Sequence, residues 1–151
     1  MATSVGPNLL KALIESATAL LPGVLVLDGV GVTNDPGDYL MIGVDDPTKP
    51  VPTAITSTEE FGAFGSTRPR FENGSVFMTA FSWNGDADQE AARDAVYAIA
   101  GVLSDSVRPN DLAVPGLMSL GFGESSELRQ AQTEYGAGAE LSFSVKFQAQ
   151  I

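Results

Sequence analysis

From residue 139 to residue 151 the chain alternates without a break. Ala139, Leu141, Phe143, Val145, Phe147, Ala149 and Ile151 are apolar, and the six residues between them are polar. Strict period-two patterning predicts a strand with one face buried. At ~3.3 Å per residue such a strand spans about 43 Å, well beyond the usual five or six residues. Its polar face sets Ser142, Ser144, Gln148 and Gln150, uncharged in a chain crowded with acids, beside Glu140 and Lys146, and such a face suits contact with a neighbour better than open water.

Two stretches carry a helical period instead. Leu9, Leu10, Leu13, Ile14, Ala17, Leu20 and Leu21 recur at steps of three and four, after a Pro7 suited to a first helical turn and before a terminating Pro22-Gly23. The second stretch, QEAARDAVYAIAGVLSDSV, gathers Ala92, Ala95, Val96, Ile99, Val102, Leu103 and Val107 on one side. Asp86 or Asp88 supplies its N-cap, and Pro109 follows its end.

The remaining apolar runs read as strands. Residues 24–30 and 39–44 flank a Gly-, Asn-, Asp- and Pro-rich turn, which predicts a hairpin. Residues 71–83 form a long strand with Phe77, Thr79, Phe81 and Trp83 on one face and Val76, Met78 and Ala80 on the other. A strand apolar on both faces is covered on both, here by a helix and by a neighbouring molecule. Residues 117–133 hold one or two further strands. Residues 45–70, polar and Pro-containing, predict an extended loop anchored by Phe61 and Phe64. The order predicts a single α+β domain over 1–151, a mostly antiparallel sheet with about two helices on one face.

Composition narrows the function. There is no cysteine and no histidine, so disulfides, thiolate sites and Ser-His-Asp catalysis are excluded. Eight basic residues against nineteen acidic ones give a net charge of −11, which repels nucleic acid backbones and anionic lipid. Arg68 and Arg70, around Pro69, are the only close basic pair and read as a solvated loop. The N-terminal residues lack a leading basic region, and Lys11 and Glu15 interrupt their apolar run, so neither a signal peptide nor a membrane span is expected.

Candidate chemistry is thin. Gly29-x-Gly31 follows a strand but lacks the third glycine and the helix that receive a dinucleotide. Asp45 and Asp46 are adjacent on extended backbone and point apart, and Asp46-Pro47 opens a turn. In NGDADQE (84–90) Gly85 is misplaced for a calcium loop, and helix capping explains the acids. No serine sits in a G-x-S-x-G elbow. No cofactor or metal is expected, and nothing here is positive evidence for a catalytic site, though one built from carboxylates alone stays open.

LMIGVDDP (40–47), AFSWNGDAD (80–88) leading into AARDAVYAI, and LRQAQTEYGAGAELSFSVKFQAQI (128–151), with VLVLDG after the first helix, resemble the tail terminator proteins of long-tailed bacteriophages, especially those of actinobacterial hosts. The resemblance implies a non-enzymatic, structural virion protein at the head-proximal end of the tail, assembled in the host cytoplasm. Such proteins form a homohexameric ring on the major tail tube protein, end its polymerisation and present a surface to the head connector. DNA passes through the central hole without specific binding, and a ring of acidic chains would let it slide. Candidate assembly residues are Phe61, Phe64, Arg68, Arg70, Val76, Met78, Ser142, Ser144, Gln148 and Gln150. The rival readings are another neck or tube protein of such a tail, a small carboxylate-dependent hydrolase, and a ligand-binding module using the 45–70 loop.

Overall fold

The computed structural model describes residues 4–30, 37–61 and 70–151, with Glu124 by its backbone alone. Helix α1 (Gly6–Leu20) opens with Pro7 in its first turn and buries Leu9, Leu13 and Ala17 along one stripe. Its N-cap residue, Val5, supplies no side-chain acceptor. The acceptor comes instead from Glu72, far along the chain, whose two oxygens receive the Val5 N–H (2.9 Å) and the Ser4 hydroxyl (2.7 Å). Helix α2 (Gln89–Ser106) buries Ala92, Val96, Ile99 and Leu103, and is capped by Asp88, which accepts from the Ala91 N–H at 3.0 Å. A short 3-10 turn (Pro109–Asp111) follows.

Six strands form one sheet: β1 (Leu25–Asp28), β2 (Tyr39–Ile42), β3 (Ile55–Phe61), β4 (Arg70–Asn84), β5 (Leu117–Thr133) and β6 (Gly136–Gln150). The order is β1-β2-β4-β6-β5, with β3 beside the first half of β4 and β2 beside its second half. β4 and β6 pair over almost their whole length, with Val76 opposite Val145 and Met78 opposite Phe143. The helices cover one face only. Leu40, Ile42, Val76, Met78, Ala80, Leu141, Phe143, Val145 and Phe147 meet them there in a single core. This is the one-domain α+β architecture with a largely antiparallel sheet that the periodicity predicts.

Two expectations need correction. The runs at 24–30 and 39–44 do not make a hairpin: β1 and β2 are parallel, with Leu25 beside Tyr39 and Asp28 beside Ile42. Alternation fixes the face a side chain takes, not the direction of its strand, and turn residues serve a return loop as well as a tight reversal. The 45–70 stretch is not loop throughout, because Ile55–Phe61 forms β3 on the edge of β4. All but Ile55 in β3 are exposed, so the strand carries no apolar alternation to reveal it. Residues 117–133 make one strand, within the one or two expected, and its pairing with β6 slips between Phe122 and Ser126. Gly123, at φ 81°, accommodates that bulge.

Candidate interaction face

Among the described residues, no helix lies over the second face of the sheet. Register places Phe71, Asn73, Ser75, Phe77, Thr79, Phe81 and Trp83 of β4 on this open face, opposite Gln150, Gln148, Lys146, Ser144, Ser142, Glu140 and Gly138 of β6. Glu60 of β3 and Glu127 and Arg129 of β5 share it. Among described strand residues, β3–β6 therefore give it three carboxylates and two bases. The face is close to charge balance on a chain of net charge −11.

One end of the face is aromatic. Tyr39 and Phe81 stack with ring centroids 4.6 Å apart. Burial, with the Glu140 charge second, raises the Tyr39 phenol above its ordinary range. Trp83 lies against Gly138, where a Cβ would come within 3.2 Å of its ring. The small residue and the large one are thus a matched pair across the strands.

The middle is a hydrogen-bonded relay. The Thr79 hydroxyl donates to the Val44 carbonyl at 3.0 Å, so its single proton is committed and the Ser142 hydroxyl, 3.1 Å away, donates to Thr79 Oγ1. Arg129 Nη2 in turn donates to Ser142 Oγ (2.6 Å), while its Nε donates to Glu140 (2.8 Å) and its Nη1 lies 3.4 Å from Glu127. Thr79 is fully buried. Thr79→Val, of nearly the same shape, removes the donor to Val44 and the acceptor for Ser142. It is expected to cost about 1–3 kcal/mol in denaturant unfolding, without changing the far-ultraviolet circular dichroism.

Beside the relay lies a concavity of about 460 Å³ bordered by Asp45, Asp46 and Lys49. These acids build their own loop. Asp45 accepts from the Asp46 and Thr53 N–H groups and from Lys49 Nζ, and Asp46 accepts from the Thr48 N–H and hydroxyl. The Lys49 hydrogen bond is the main cause of a lowered Asp45 pKa, and Thr48 does the same for Asp46. Both carboxylates stay ionised acceptors at neutral pH, a poor arrangement for acid catalysis. Among the described residues no cluster of three or more His, Cys, Asp or Glu is placed to hold a metal, and no helix is long and apolar enough to cross a membrane.

At the other end β3, β4, β6 and β5 curve around a second concavity of about 520 Å³. Its lining mixes short polar residues, Thr56, Thr58, Ser75 and Ser119 among them, with Leu120 and Phe147, and Lys146 is the charged residue among the described ones.

The candidate assembly residues divide accordingly. Ser142, Ser144, Gln148 and Gln150 all belong to the open face. Gln148 and Gln150 are exposed, while Ser144, opposite Phe77 and beside the β5 bulge, is only 8% exposed. Val76 (0%) and Met78 (1%) point the other way, into the helix-covered core, and no neighbour can reach them. The helices, not a second molecule, cover that side of β4. Phe61 ends β3 and is 63% exposed, and Arg70 begins β4, with Nη2 3.0 Å from Glu59. Phe64 and Arg68 lie outside the described residues. Sequence reasoning missed Arg129, Glu140 and Glu72. An acid in phase with Val76 and Met78 was the available signal for Glu72; Arg129 and Glu140 needed the β5–β6 register.

No protein-family model matches this chain, and no curated protein matches it. Its fold is similar to that of a solved chain from the virion of a native gene transfer agent (GTA) particle. The match covers 98% of this chain and 100% of that one, with a TM-score of 0.55 and 16% identity. At that identity the likeness is one of fold.

Proposed function

We propose that this chain is a structural subunit of a phage-like virion, without enzymatic activity, and specifically a tail terminator. In this role six copies form a ring on the last ring of the major tail tube protein, stop its growth and present a docking surface to the head connector. DNA passes through the hole unread. The observation that carries the proposal is the end-to-end fold match, in both chains, with a component of a virion particle. The near-neutral open sheet face supports it, because acidic chains associate most readily where they bring least like charge together. The resemblance of 40–47, 80–88 and 128–151 to tail terminators supplies the position in the tail.

The test is addition of the purified protein to growing tail tubes, followed by light scattering and negative-stain imaging. Six-fold rings capping tubes of arrested length are the expected result. Incorporation along the tube would make the protein a tube subunit instead. A strict monomer at high concentration and in the presence of tubes would overturn the ring.

A further inference from the structure

The most exposed large apolar side chain among the described residues stands on the 45–53 loop, between β2 and β3. Val51, flanked by Pro50 and Pro52, is 84% exposed, so it touches little of its own chain. The loop behind it is held closed. Asp45 Oδ1 accepts from the Asp46 and Thr53 N–H groups, both at 2.8 Å, and so ties the first residues of the loop to its last. Asp46 binds the Thr48 N–H and hydroxyl, and the two prolines fix φ on either side of the tip. An apolar tip fixed in this way loses little conformational entropy on docking.

The aromatic end of the open face is its complement. Leu25, Tyr39 and Phe81 stand side by side across β1, β2 and β4, and Trp83 follows on β4. Leu25 is 45% exposed, and the three rings are only half-buried. Trp83 lies over Gly136 and Gly138, where a Cβ would meet its ring at 2.7 and 3.2 Å, so the exposure it keeps is on its outer side. Half-exposed aromatic rings with no element over them mark a contact surface. Proline-flanked apolar segments dock on such rings. Resting on the ring reading above, we infer that the Pro50-Val51-Pro52 tip of one copy docks on the Tyr39, Phe81 and Trp83 platform of a second copy. Both halves of this contact stand on the one chain, and neither is satisfied within it. Charge favours a second copy as well. On a chain of net charge −11 neither patch carries a charged side chain, and Glu140, opposite Phe81, is already paired with Arg129. Tip and platform are different patches, so their contact is heterologous, the kind that generates a ring when its rotation closes.

Trp83 is the chain's single tryptophan, so its fluorescence reports on the platform directly. The whole chain is followed through assembly, alone and with tail tubes, by light scattering, negative-stain imaging and tryptophan emission. As the wild type assembles, Trp83 emission is expected to move to shorter wavelength and its quenching by acrylamide to fall. Val51→Asp is expected to raise the concentration needed for assembly about tenfold, with emission held at the monomer wavelength until then. Circular dichroism and denaturant unfolding verify that this surface variant is folded. If rings form with Trp83 emission unchanged, or if Val51→Asp assembles and shifts like the wild type, the contact is wrong while the ring reading stands. If a Val51-dependent shift accompanies dimers or open chains and no six-fold ring, the contact stands and the ring reading falls. A strict monomer with unchanged emission overturns both.

Discussion

Phe147→Ala is expected to destabilise the folded chain by about 3–5 kcal/mol, and Phe143→Ala by a similar amount. Phe147 is 3% exposed and Phe143 5%, both in the core under the helices. Phe147 has a particular reason to be irreplaceable. It faces Gly74 across the β4–β6 ladder, and a Cβ at position 74 would lie 2.7 Å from its ring. The ring occupies space that the glycine leaves, so truncation opens a cavity in a region of backbone that cannot close over it. Gln148→Ala and Gln150→Ala, exposed on the same strand but the opposite face, should change stability by less than about 1 kcal/mol. Denaturant unfolding separates the two sets. Equal, small effects on both faces would show that β6 is not buried on its odd side.

That contrast was available from the sequence, because alternation over 139–151 survives into a strand buried at nearly every odd position from Ala137 to Ala149. The helical stripes survive equally well, since Leu9, Leu13 and Ala17, and Val96, Ile99 and Leu103, are fixed by a period that their own segment contains. What the sequence did not show depends on partners elsewhere in the chain. The direction of β1 is set by pairing with β2, which itself lies against β4. β3 exists because β4 offers it an edge from Arg70 to Val76, and its own residues carry little pattern. The open face shows the same division. Ser142, Ser144, Gln148 and Gln150 were legible as one side of β6. The Arg129 relay that ties Ser142 to β5 needed a register that crosses a bulge. Val76 and Met78 were misassigned for a related reason: a strand apolar on both faces declares that both are shielded, but not which side its own helices take.

Glu72 gives the second large effect. The carboxylate is 1% exposed on the core side of β4, in line with Val76 and Met78. A buried acid there is costly unless it is satisfied, and α1 satisfies it with the Val5 N–H and the Ser4 hydroxyl. The Ser4 oxygen meanwhile accepts from the Gly6 N–H at 2.9 Å, so one side chain and one relay quench successive donors at the start of the helix. The negative charge also sits at the positive end of the α1 dipole. Glu72→Leu keeps the volume but strands both donors beside an apolar side chain, and is expected to cost about 3 kcal/mol. Glu72→Gln retains one amide oxygen for Val5 and should recover part of that loss, the remainder reporting the charge. Ser4→Ala should cost less than Glu72→Leu, because Val5 keeps its acceptor. Amide exchange gives the localised readout: in Glu72→Leu, protection at Val5, Gly6 and Leu9 should fall further than protection in α2. A fully stable Glu72→Leu with unaltered exchange in α1 would mean that the helix start does not depend on this carboxylate. The link between α1 and β4 would then rest on apolar packing alone.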